Sequence, residues 1–98
     1  GVTGVQKLLN DSFKYSVKGA TGGTYTISIN GKMTATIEYN ATAAAIQAAI
    51  RASGENEATV GGTVDAGFTI TKVSAEPTVI ATGLTGGGFP KTVEVTKQ

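Results

Sequence analysis

Ninety-eight residues make one domain's worth of chain, and with 40% hydrophobic residues it is too apolar to stay disordered. The net charge of +1 comes from eight thinly spread cations, which excludes the clustered basic footprint a nucleic-acid binder needs. No cysteine means no disulfide and no thiolate metal site, and no histidine removes the commonest general base and metal ligand.

No apolar run is long enough to span a bilayer, and no charged start precedes an apolar segment, so neither a membrane anchor nor a signal peptide is expected. Residues 1–11 carry no clean period. Their short apolar group, Val5, Leu8 and Leu9, reads as an N-terminal arm ahead of a single domain over residues 12–98.

From Ser12 to Lys18, Phe13, Tyr15 and Val17 alternate with polar neighbours, the period of a half-buried strand. Thr24 to Ile29 repeats the pattern with Tyr25, Ile27 and Ile29 inward, and Lys32 to Tyr39 follows with Met33, Ala35, Ile37 and Tyr39. A two-residue turn at Asn30-Gly31 would set the apolar face of one strand against the polar face of the other. A three-residue loop, Ile29 to Gly31 with a bulge at Gly31, pairs Ile27 with Met33 and Tyr25 with Ala35 and is the expected hairpin.

Asn40 is placed to cap a helix running from about Ala41 to Ser53 and ending at Gly54. Ala43, Ile46, Ala49, Ile50 and Ser53 make its inward stripe. Further short strands are expected over Glu57–Val60, Gly67–Val73, Thr78–Thr82 and Lys91–Lys97, separated by Gly61-Gly62, by Ala75 to Pro77 and by a flexible Gly83 to Pro90 connection. The fold class is α+β: an antiparallel sheet or sandwich of short strands with one helix packed on a face. Thr24, Thr26, Ser28, Thr34, Thr36 and Glu38 would form the opposite, wet or interfacial face.

Candidate sites are few. The seven carboxylates read as solvated surface groups, and Glu55, Glu57 and Asp65 lack the dense oxygen ligands of a calcium loop. Gly86-Gly87-Gly88-Phe89-Pro90-Lys91-Thr92 lacks the Gly-Lys-Thr helix opening that a phosphate loop requires. Tyr15, Tyr25 and Tyr39 fall in phase with aliphatic neighbours, which points to core packing and away from a sugar or base platform. No catalytic, cofactor or metal residue is assigned. Phe89, an aromatic in a glycine-rich loop, is the candidate partner contact, together with Val5, Leu8 and Leu9 of the arm.

The segment Gly23-Thr-Tyr-Thr-Ile-Ser-Ile-Asn-Gly31, followed by Ile37-Glu-Tyr-Asn-Ala-Thr-Ala-Ala-Ala-Ile46-Gln-Ala-Ala-Ile50, resembles a domain recurring in virion proteins of tailed bacteriophages, especially those infecting actinobacteria. That family has a G-T-F-T-L-x-F-x-G strand, a Thr-rich return and then Y-N-A-T-A-A-A-V-Q-A-A-L. Thr82 to Gly86 and Thr92 to Thr96 resemble its closing strand, and Val5-Gln6 its opening. Ile46 and Ile50 replace the usual Val and Leu, and Gly61 to Gly67 departs from the family's Gly-Gly-Pro-rich turn. The resemblance implies a non-enzymatic minor capsid or decoration protein on the outside of the virion shell, made in the host cytoplasm. Its implied partners are the major capsid protein and neighbouring copies of itself, with no nucleic acid, membrane or cofactor. A tail or surface module that binds host glycan is the alternative.

Overall fold

The structure, a computed structural model, describes residues 11–98. It is an α+β fold in which two antiparallel sheets face each other across one core. The strands are β1 (Phe13–Tyr15), β2 (Gly22–Ile29), β3 (Lys32–Met33), β4 (Ile37–Glu38), β5 (Thr59–Thr63), β6 (Gly67–Thr71), β7 (Thr78–Ile80), β8 (Leu84–Thr85), β9 (Thr92–Val93) and β10 (Thr96–Lys97). The helix is α1 (Ala43–Ala52). One sheet runs β10-β1-β6-β5. In the other, β2 carries β3 and β4 along one side and β7 and β8 along the other, with β9 outside β7.

Both expected core strands form, the first only over Phe13–Tyr15 of the expected Ser12–Lys18, with Val17 buried just past its end. Phe13, Tyr15 and Val17 from one sheet meet Tyr25, Ile27 and Ile29 from the other, all buried, with Phe68, Ile70 and Val79 filling between them. The hairpin after β2 does not follow the expected loop. Ile29 pairs with Lys32 and Ser28 with Met33, so the turn has two residues, with Asn30 at φ 52° and Gly31 at φ 78°. Positive φ at both central residues is the signature of a type I′ turn, whose twist matches that of the flanking strands.

The phase conflict is resolved three residues later. Beyond Met33 the register moves so that Tyr25 faces Ile37 and Thr24 faces Glu38. Two residues of β2 then oppose Thr34, Ala35 and Thr36, which is a one-residue bulge. Thr34 turns inward and is buried, where a wet position was expected. Its amide donates to the Ile27 carbonyl (2.9 Å), and the Ile27 amide donates to its hydroxyl (3.0 Å). The side chain thus replaces a ladder acceptor that the bulge turned away. Met33 and Ala35 are exposed, Met33 at 57%, contrary to the inward reading.

Two further boundaries move. Asn40 lies in a turn closed by the Ala41 amide on the Glu38 carbonyl (3.0 Å), so Thr42 caps α1 through the Ala45 amide (3.3 Å). Gly61-Gly62 sits inside β5, paired with Thr69 and Phe68. Gly62 is at φ 103°, and a Cβ there would collide with the Gly67 carbonyl, so only glycine keeps that close approach.

Helix α1 seats Ile46 and Ile50 in the core and lies against β5 and β4, the edge strands of the two sheets on that side. Burying each isoleucine contributes about 1.5–3 kcal/mol. The helix also serves the exposed backbone of β5 and the residues leading into it. The Val60 amide donates to Gln47 Oε1 (3.0 Å), and Arg51 Nε donates to the Ala58 carbonyl (2.8 Å). These groups would otherwise be a template for pairing with another chain.

Glu55, read from sequence as a solvated acid, is 1% exposed. Its carboxylate is ion-paired with Lys32 of β3 and accepts from the Ser74 amide and hydroxyl (2.8 Å each). A charge can be held there because its donors come from the surrounding segments. Removing the acid strands these donors. Glu55→Ala is expected to lose about 3–5 kcal/mol of unfolding free energy in a urea titration, the range for breaking a buried pair. A loss under about 1 kcal/mol would mean the carboxylate is solvated.

Candidate docking cleft

On the side opposite α1 the chain crosses from one sheet to the other. Val93 ends β9, paired with Val79, and after two intervening residues Thr96 begins β10, paired with Lys14. The run expected as a single strand, Lys91–Lys97, is therefore divided between the sheets. Its Val93/Val95 alternation is local and carries no information about which neighbour each half takes.

The crossover leaves a cleft of about 400 Å3 lined by Lys14, Ser16, Phe89, Pro90, Val93 and Glu94, with Tyr15 and Thr96. Lys14, in the middle of β1, and Ser16, just past its end, are exposed. Phe89 is half-buried and packs against the core cluster beside Val93 and Val95. The expected partner contact at Phe89 is thus an aromatic wall, folded back from the loop tip. The glycine-rich segment before it is anchored. The Thr21 amide donates to the Thr85 carbonyl (2.8 Å), the Thr24 amide to the Gly83 carbonyl (3.1 Å), and β8 pairs with Gly22-Gly23. The flexible connection read from sequence is in this part a strand. Val5, Leu8 and Leu9 lie outside the described residues.

Lys14 and Glu94 bring opposite charges to the cleft around an apolar wall. Among the described residues, no group of three or more His, Cys, Asp or Glu could hold a metal ion. No described helix is long and apolar enough to cross a membrane. Lys14, Ser16 and Glu94 were not singled out in the sequence, where each is an ordinary polar residue on an alternating strand. Only the path of the crossover brings them together.

Behind the cleft wall, Tyr15 and Tyr25 join the two sheets. Their hydroxyls are 2.9 Å apart, and the rings meet edge-on at 70° with centroids 6.0 Å apart. Burial, reinforced by the neighbouring Tyr25 phenol and its hydrogen bond, pushes the Tyr15 hydroxyl far above its usual range. Tyr25 is pushed up to about 12 by burial, while the hydrogen bond from Tyr15 works in the opposite direction. Both are core residues, as their strand phase indicates, and Tyr15 also contributes to the cleft lining.

A second hollow, of about 170 Å3, lies on the outer side of the β2 sheet, lined by Thr24, Thr26, Thr36, Ile80 and Thr82. No protein-family model matches the chain, and no curated protein matches it either.

Raised tyrosine pKa values fix the sign of alkaline stability. The folded state holds these protons more tightly than the unfolded chain, whose tyrosines ionise near 10. Stability is therefore independent of these groups below about pH 10 and falls as pH rises from there toward 12. Tyrosinate absorbance from this pair should appear together with loss of the folded circular dichroism signal, and Tyr15→Phe/Tyr25→Phe should flatten the alkaline limb. Ionisation of both phenols with the fold intact at pH 10 would contradict the buried pair.

Proposed function

We propose that this chain is a structural protein of a tailed-bacteriophage particle, a minor capsid or decoration protein that binds the outside of the shell and ties neighbouring capsomers together. The observation that carries the reading is the stretch from Gly23 to Ile50, whose residues resemble the recurring virion domain. That stretch is one physical unit of the fold: β2, its bulged return through β3 and β4, and the first eight residues of α1. The partners are the major capsid protein and adjacent copies of this chain, and the cleft beside Phe89 is the contact on the body.

A shell presents the same attachment point many times. Weak individual contacts then add, because a molecule held at one point meets the next at high effective concentration. A protein acting this way needs a rigid body and a projecting contact surface.

The tail or surface module that binds host glycan stands second, favoured by the hollow around Ile80. The hydroxyls of Thr24, Thr26, Thr36 and Thr82 have no hydrogen-bond partner among the described residues. Purified empty heads lacking this protein should take it up saturably and gain resistance to heat, whereas isolated tails should not. Uptake by tails alone, or signal on a glycan array without any binding to heads, would replace the first reading with the second.

A further inference from the structure

We infer that the cleft is a strand-insertion site, built to accept an extended polypeptide segment from another molecule as an added partner for β1. The inference concerns how a partner is held and stands whether or not that partner is a viral shell.

The pairing of β1 with β10 follows one register: Gln98 donates to the Ser12 carbonyl, and Phe13 faces Lys97 and Lys14 faces Thr96. Continued two residues further, the same register would bring Ser16 opposite Glu94. That pair does not form, because Val95 leads the chain away to the other sheet. Backbone polarity alternates along a strand, so the groups of Ser12 and Lys14 point to the β10 side, away from β6, and Ser16, one residue past β1, is the next in that phase. Among the described residues, neither the amide nor the carbonyl of Ser16 or Glu94 has a hydrogen-bond partner. Both residues line the cleft, which is therefore an interrupted ladder with its donors and acceptors still in place.

An extended segment laid beside Ser16 would recover two of those bonds, the mode in which a peptide adds to an open sheet edge. Specificity comes from the walls. Phe89 and Val93 offer contact to one aliphatic side chain, and Glu94 favours a basic residue at the position beside it, away from the like charge of Lys14 on β1. The occupant that fits is a short, extended stretch alternating aliphatic and hydrophilic residues and carrying a lysine or arginine. The edges on the α1 side lack this combination. At β5 Gln47 takes the Val60 amide and Arg51 the Ala58 carbonyl just before the strand, and the β3–β4 edge is broken by the bulge.

The probe is a blocked pentapeptide of valine, threonine, valine, lysine and valine, titrated into the full isotope-labelled chain while backbone amide resonances are followed. Saturable shifts are expected at Ser16 and Glu94, with Thr59–Thr63 unmoved. The same peptide N-methylated on alternate amides keeps its side chains but loses its donors. It should bind at least about tenfold more weakly, the effect of losing one to two backbone hydrogen bonds. Ser16→Pro removes the amide and should weaken the unmodified peptide similarly. Glu94→Pro, which removes the facing amide, serves if Ser16→Pro fails to fold. Absence of saturable shifts at Ser16 and Glu94, or equal binding of the N-methylated peptide, would overturn the inference.

Discussion

The buried Glu55 carboxylate is the constraint around which one half of this molecule is arranged. It lies just past the end of α1, and its partners come from β3 and from the segment after β6. Those three segments belong to the helix and to both sheets. A carboxylate in an apolar interior is tolerated only when its oxygens are satisfied. The hairpin must therefore present Lys32, and the residues after β6 must present Ser74. The stem of Lys32 also covers Gly54, where a Cβ would clash with its Cδ at 2.8 Å, so the helix stop and the ion pair are built from the same contact. With the tip of the hairpin held there, the bulge at Thr34 is what returns Ile37 to the core opposite Tyr25.

The two sides of the sandwich are finished in different ways. On the α1 side, apolar contacts from Ile46 and Ile50 combine with Gln47 and Arg51, which occupy backbone groups beside and within the edge strand. On the opposite side a two-residue crossover joins β9 to β10, and closure depends on half-buried Val93, Val95 and Phe89. The tyrosine pair stands between these sides and links the sheets through a single buried hydrogen bond. The unsealed side thus leaves backbone groups of Ser16 and Glu94 unpaired among the described residues, where the α1 side has its edge groups taken.

Much of the scaffold was legible in the sequence because it follows from local periods. Phe13, Tyr15 and Val17 alternate, as do Tyr25, Ile27 and Ile29, and Ile46 and Ile50 repeat at helical spacing. What escaped was decided over long range. Asn30-Gly31 favours a two-residue turn on its own chemistry, and phase alone argued against it. The bulge that reconciles the two depends on Thr34 finding the Ile27 amide. Glu55 looks like any surface acid until Lys32 and Ser74 converge on it. Of the cleft, Phe89 was visible as an aromatic among glycines, but Ser16 and Glu94 are defined by a pairing that stops, and nothing local marks where a ladder ends.

Amide hydrogen exchange of the isolated chain reads that ending directly. If the β1–β10 ladder stops at Lys14 and Thr96, those two amides exchange slowly while Ser16 and Glu94 exchange at rates near those of an unstructured peptide. Slow exchange at Ser16 and Glu94 in the free protein would mean that the ladder is already complete, and the unsealed side, with the docking role assigned to it, would not exist.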